Sequence, residues 1–366
     1  MVNAPNIPLD PTPLPAHSAA MTSDPRKLLE GVVHARALRG DGAGPAVDPP
    51  FADWLHLDAT RPDSVYWLRH ESGIPPLAVD GLLAPETRPR CEAVDGGLLL
   101  ILRGVNLNAS ADPDDMVSLR VWIAPGGTAD DTGAQPDRGG RQVRQPKRPG
   151  IVSVRLRRLM AVQDVVDALD AGRGPASPGA VAVQLAERLA QRMAPTIDRL
   201  DDELDALEVA VAAPGGTAGQ RVRPRLLRLR HQALTLRRYL APQRAALQRL
   251  LDLAPDWLDA GLRARLREAL DAVTRYVEAL DTARERAAVI QDELANAVAE
   301  RLNARMYVLS VVAAVFLPLG FVTGLLGVNV AGVPGTDTPW AFAAVAAGSA
   351  GVAAVEIWLF KRLGWL

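Results

Sequence analysis

The chain has 366 residues, of which 48% are hydrophobic but only 4% aromatic, and 41 Lys and Arg against 42 Asp and Glu leave a formal net charge of −1. That balance argues against the broad basic field of a nucleic-acid-binding protein. The single cysteine, Cys91, and five scattered histidines exclude an intrachain disulfide, a four-cysteine zinc site, a CxxC pair and an HExxH site.

Residues 1–45 are rich in Pro, Ala and Gly, with PNIPLDPTPLP near the start, and read as a disordered tail with room for a short helix around Arg26–Leu38. Residues 46–180 alternate between strand and helix signals. Leu98–Leu102 (LLLIL) suits a central strand. Val117, Leu119, Val121 and Ile123 alternate with Ser118, Arg120 and Trp122, the pattern of a half-buried strand, and Val152, Val154 and Leu156 alternate with Ser153, Arg155 and Arg157 in the same way. Between them Gly126–Gly150 predicts a long exposed loop or a hairpin insertion. Helical patterning takes over from about Gln163, so this segment reads as an α/β domain with a sheet covered by helices.

Residues 181–256 predict a helical hairpin region, broken at Ala213–Gly219 and near Ala254–Asp256. Asp198, Asp201, Asp202, Glu203, Asp205 and Glu208 crowd its first helix, and nine arginines from Arg221 to Arg249 occupy the next. Leu226, Leu229, Leu236, Leu240 and Leu247 give the second helix a core face. The two blocks are therefore expected to pair across the turn rather than to line a nucleic-acid groove. Residues 257–305 read as a stalk helix that runs without a break into the next segment, on the order of 100 Å in all at the α-helical rise per residue.

Met306 to Leu326 is 21 residues without a charge, and Trp340 to Phe360 is 21 more with only Glu356. Each matches the roughly 20 residues that cross a bilayer core. The chain thus predicts transmembrane helices at 306–326 and 340–360, an outer loop at 327–339 and a basic tail at 361–366. Arg301 and Arg305 precede the first span, Lys361 and Arg362 follow the second, and the loop has neither Lys nor Arg. The positive-inside rule puts both termini in the cytoplasm. The first residues carry no cationic n-region or continuous apolar h-region, and a lone thiol suits a reducing compartment.

At alternating steps of four and three, Asp292, Asn296, Ala299, Asn303, Met306, Ser310, Ala313, Leu317, Gly320 and Gly324 form a seam with the period of a supercoiling helix. The seam is acidic or amide-bearing at first and small or uncharged within the span. Small residues let helices pack closely in lipid. Equally, such a seam suits a pore wall, where an acid and two amides hold a hydrated cation above an uncharged throat. Two spans cannot enclose water, so a pore requires several copies around an axis with this helix inside. Pro318 removes one backbone hydrogen bond, tolerable where the freed carbonyl faces protein or a lumen. Gly327-Val328-Asn329 follows the span. It suits a helix end, and a ring of Asn329 carbonyl oxygens also suits a cation that keeps its water shell. Asp337 is the only acid in the outer loop. Trp340, Trp358 and Trp365 suit an aromatic belt, and Glu356 an interfacial carboxylate.

The stretch MYVLSVVAAVFLPLGFVTGLLGVNVAGVPG resembles the first membrane helix and signature loop of the CorA-type divalent-cation transporters, including the interval from Pro318 to Asn329. Gly-Val-Asn in place of Gly-Met-Asn, followed by Gly-Val-Pro-Gly, is similar to the ZntB-like zinc-transporter branch, as are Arg237–Leu247 (RRYLAPQRAAL) and Gly97–Asn108 (GLLLILRGVNLN). The resemblance covers roughly residues 50–366. It implies an α+β membrane protein built as a pentameric funnel: a cytoplasmic α/β domain, a long helical stalk and a pore lined by the first of two C-terminal transmembrane helices. It places the signature Asn of the outer mouth on Asn329, and an amide and an acid of the pore helix on Asn303 and Asp292. The expected function is transport of a divalent cation, zinc first, across the inner (plasma) membrane by a homopentamer that is not an enzyme and needs no cofactor beyond its cargo. A magnesium, cobalt or nickel channel is the second reading, and a membrane-tethered scaffold or sensor the third. Direction of transport and proton coupling are not legible in these residues.

Overall fold

The computed structural model describes residues 30–108, 115–125, 135–136, 142–143, 148–212, 218–327 and 338–362. The chain divides into two compact units, Met1–Ala206 with Pro224–Ala287, and Leu207–Arg223 with Ala288–Leu366.

The first unit holds the sheet. Its strands are β1 (Val32–Arg36), β2 (Trp54–Asp58), β3 (Arg90–Val94), β4 (Gly97–Gly104), β5 (Val117–Ile123) and, after a two-stranded ribbon of β6 (Gln135–Pro136) and β7 (Gln142–Val143), β8 (Ile151–Arg155). The six-stranded order is β1-β2-β8-β5-β4-β3, antiparallel except where β2 runs parallel to β8. Two short helices, α1 (Pro62–His70) and α2 (Pro76–Leu83), each open on a proline, whose fixed φ and missing N–H suit a first helical turn. Leu68 of α1 and Ala78, Val79 and Leu82 of α2 share one core with Leu55, Leu57, Leu99, Ile101, Trp122, Val152 and Val154 of the sheet. The other face meets α3 (Met160–Asp170) and α4 (Pro178–Ala212) across close contacts. A Cβ on Gly104 of β4 would lie 2.5 Å from Leu189 of α4.

Three expectations are corrected here. Residues 32–36 form neither tail nor helix. VVHAR is a β-branched edge strand, and its pairing with β2 places ordered sheet inside the segment read as disordered up to residue 45. Secondly, β5 is buried at all seven positions, not on one face. Polar Ser118 and Arg120 mimic a solvent face, but helices cover both sides of the sheet. Arg120 is fully buried, donates Nη2 to the Ala84 carbonyl at 2.7 Å, and has its pKa pushed down to about 10 by burial and then by Arg103. Ser153 of β8 is also fully buried: its Oγ accepts from Trp54 Nε1 and meets His56 Nδ1, both at 2.8 Å.

The third correction concerns the charged helices. α5 (Ala218–Leu253) buries Leu226, Leu229, Leu236, Leu240 and Leu247, as the spacing predicts. The ionic partners differ. Asp201 and Asp205 of α4 both accept from Arg286, and Arg237 of α5 pairs with Asp281. Arg286 and Asp281 belong to α6 (Ala260–Leu326), so for these residues the partner is the third helix, not the neighbour across the turn. Arg265 of α6 likewise pairs with Glu187 of α4 at 2.6 Å.

The two upstream segments that carry the family resemblance meet in space. The backbone N–H of Arg103 donates to Gln243 Oε1 at 2.7 Å, and its guanidinium lies 4.4 Å from the Tyr239 ring centroid. The same side chain donates to the carbonyls of Met116 and Thr87, each at 2.7 Å. One arginine thereby ties β4 to α5 and to two loops, a cation–π contact being worth more where it is shielded from water.

α6 is a single helix of 67 residues that belongs to both units, and α7 (Ala341–Arg362) has 22. Both contain stretches long and apolar enough to cross a membrane. After Ile290 no described residue is buried.

Candidate functional site

Helix α6 places Asp292, Asn296, Asn303, Met306, Ser310, Ala313, Leu317, Gly320 and Gly324 within its second-unit part, and each is exposed. The bulkier neighbouring seam is uncovered too: Val298, Leu302, Leu309 and Phe316 are 53–67% exposed. In water this much contiguous apolar surface would be strongly unfavourable. A lipid bilayer is a surrounding it fits.

Local backbone chemistry sets which polar atoms remain. Ser310 Oγ donates to the Met306 carbonyl at 2.8 Å, which uses its proton and leaves its oxygen as an acceptor. Pro318 has no N–H, so the Ala314 carbonyl lacks its intrahelical donor. Thr323, which the seam omits, donates to the Leu319 carbonyl at 2.9 Å. A hydroxyl in an otherwise apolar span is the signal that would have singled it out. Gly327 ends the helix: its N–H reaches the carbonyls of Thr323 at 2.9 Å and Gly324 at 3.2 Å. A Cβ on Gly320 or Gly324 would meet nothing within 4 Å, so this chain alone gives neither glycine a packing reason. Val328, Asn329 and Asp337 lie outside the described residues.

From Asp292 to Asn303 the helix rises about 16 Å, so one chain cannot bring both side chains to one ion. Nor do the described residues contain any group of three His, Cys, Asp or Glu fit to hold a metal. Of the seam residues only Asp292, Asn296, Asn303 and Ser310 carry a side-chain oxygen. A chelating cage would hold its ion, whereas conduction needs contacts favourable enough to enter and weak enough to leave.

α7 starts with Ala341 donating to the Thr338 carbonyl at 3.1 Å. Trp340 and Trp358 are exposed, and Arg362 lies 5.3 Å from the Trp358 ring centroid. Such amphipathic pairs suit the headgroup level of a bilayer. Trp365 lies outside the described residues.

A mixed sheet clad in helices, one very long helix and a second apolar helix define a membrane protein, and comparison with known proteins gives its class. The family described as CorA-like Mg2+ transporter protein matches residues 52–127 and 147–362, and the chain belongs to it. This is a family of divalent-cation transporters, not of enzymes. The chain is similar to the divalent cation transporter CmaX of Pseudomonas aeruginosa, with 37% identity covering 92% of this chain and 97% of that protein. It is also similar to the zinc transport protein ZntB of Pectobacterium carotovorum, with 33% identity covering 92% and 96%. The solved structure of full-length CmaX superposes with a TM-score of 0.72 at 36% identity, over 92% of this chain and 98% of that one.

Proposed function

We propose that this chain carries zinc across the inner (plasma) membrane through a homopentameric pore lined by α6. The observation that carries the reading is the uncovered seam from Asp292 to Gly324, small or uncharged through the span and leading to Gly327-Val328-Asn329. Zinc as cargo is supported by the ZntB relatives at 31–33% identity and by Val328 in the signature. In this reading both termini are cytoplasmic, Asn329 rings the outer mouth and meets a hydrated ion, and Asp337 adds negative charge to the outer loop. Asn296 and Asn303 line the inner path. Asp292 is a regulatory or transient contact, because ringed carboxylates repel until a divalent ion relieves them. The domains of this reading are the α/β domain up to residue 180, the helical region 181–256, the stalk 257–305, the spans 306–326 and 340–360, the outer loop 327–339 and the tail 361–366.

Zinc-dye-loaded vesicles containing the full-length protein test this, with Asn329→Ala as the comparison. Zinc entry that collapses in the variant while the oligomer persists is expected. Magnesium flux without zinc flux would establish the second reading, which the family description favours. No flux of any divalent ion would leave a scaffold.

A further inference from the structure

A groove of about 670 Å³ opens in the first unit between α3 and α4, and no α6 residue lines it. Arg173, Arg188, Arg192 and Arg199 line it with two acids, Asp164 and Asp167. The acids are engaged: Arg192 grips Asp164 through two bonds of 2.5 Å, and Gln163 donates to Asp167 at 2.8 Å. Arg173, Arg188 and Arg199 have no carboxylate partner among the described residues; Arg188 donates only to Gln191 Oε1, at 2.8 Å. The wall is therefore cationic in excess of its own acids, and the Arg192–Asp164 clamp holds its middle in place.

The groove also has an apolar side. Leu107, which is 48% exposed, stands there with Ala168 and Pro195. Guanidinium forks match the oxygens of a phosphoryl group, which can accept from several at once, whereas a carboxylate has only two oxygens to share. The apolar side gives a flat or hydrophobic remainder a place to lie, and the volume falls in the range of small-ligand sites.

We propose that this groove binds the phosphoryl group of a soluble metabolite, with Arg173, Arg188 and Arg199 as its ligands and Arg192 as the positioning residue. It makes the first unit a sensor of phosphorylated small molecules, in addition to any metal the protein moves.

The test is titration calorimetry on the full-length protein in detergent, in metal-free buffer with a chelator, so that cations carry no ligand in. Inorganic phosphate and ADP are the two probes. Saturable binding of either is expected, weakened at least about tenfold in Arg188→Gln/Arg199→Gln. Arg228→Gln, at an exposed arginine of α5 that does not line the groove, controls for total charge and should bind as the parent does. Tighter binding of ADP assigns the apolar side to a nucleoside, and equal binding assigns the site to free phosphate. Absence of saturable binding of both probes overturns the proposal. So does binding that the double variant retains, or that the Arg228 control loses equally.

Discussion

At the scale of single residues, the sheet is acid-sensitive by construction. His34 and His56 face each other across β1 and β2, with ring centroids 6.0 Å apart. Burial, then Arg155 and His34, hold His56 well below its ordinary value of 6.5. Burial, then Arg36 and Arg155, lower His34, with Asp170 opposing. In the unfolded chain both titrate near 6.5, so above that pH folding costs them nothing. As pH falls below about 6.5 the unfolded chain takes up protons that the native sheet excludes. Stability then drops by up to about 1.4 kcal/mol per pH unit for each excluded proton. Cys91 supplies the readout, being the only cysteine, buried, with its thiol pushed up to about 12 by burial. Labelling by dithiodipyridine, which works in acid, should be negligible in the native protein and complete in urea. The urea midpoint should be flat from about pH 7 to 8 and fall below about 6.5, less steeply in His56→Gln. An unchanged slope in that variant would remove His56 from the account. None of this was legible beforehand: the sequence shows five histidines without ligand spacing, and only the β1–β2 register brings two together.

At the scale of elements, contact distance and exposure decide which changes matter. A Cβ on Gly97 would sit 2.7 Å from the Ile123 carbonyl oxygen and 2.4 Å from Trp122 Cζ2. Backbone cannot step aside as a side-chain tip can, so Gly97→Ala should destabilise the first unit by about 1–3 kcal/mol. Arg286→Gln removes two ion pairs yet should cost under about 1 kcal/mol, because Asp201 and Asp205 remain 62% and 63% exposed. Cys91 labelling across a urea series ranks the two, and the reverse order would mean that the α4–α6 ionic contact outweighs sheet packing. The elements themselves were largely legible, since β4, β5, β8 and the leucine face of α5 carry clear periodicity. What failed was inference from polarity to exposure. Arg120 and Ser118 read as solvent-facing because alternation reports side-chain direction, not what covers each face. The acidic block of α4 was matched to the nearest arginines in sequence, whereas Asp201 and Asp205 reach Arg286, some eighty residues on.

For the whole molecule, the two apolar helices were legible from length and composition alone, because a bilayer core imposes both. The number of copies was not, since close packing and a pore wall ask for the same small residues on one chain. The ordered β1 changes one expectation about the N-terminal segment. Removing residues 1–29 should leave transport and oligomer intact, whereas removing 1–45 strips an edge strand from over β2 and should expose His56 and cause aggregation. Equal behaviour of the two truncations in gel filtration would mean β1 is dispensable. The α6 seam poses the sharper question, because small residues serve close packing and a pore wall alike. Gly320→Leu separates the two. A wall residue made large narrows the lumen, so zinc flux should fall while oligomer size in mild detergent is kept. A packing residue made large forces helices apart, so the oligomer should dissociate. Phe316→Ser is the counterpart on the neighbouring seam, 67% exposed in the single chain, and there assembly should weaken first. If Gly320→Leu instead breaks the oligomer and Phe316→Ser leaves it whole, the two seams exchange roles and the conduction path lies along Leu309, Val312 and Phe316.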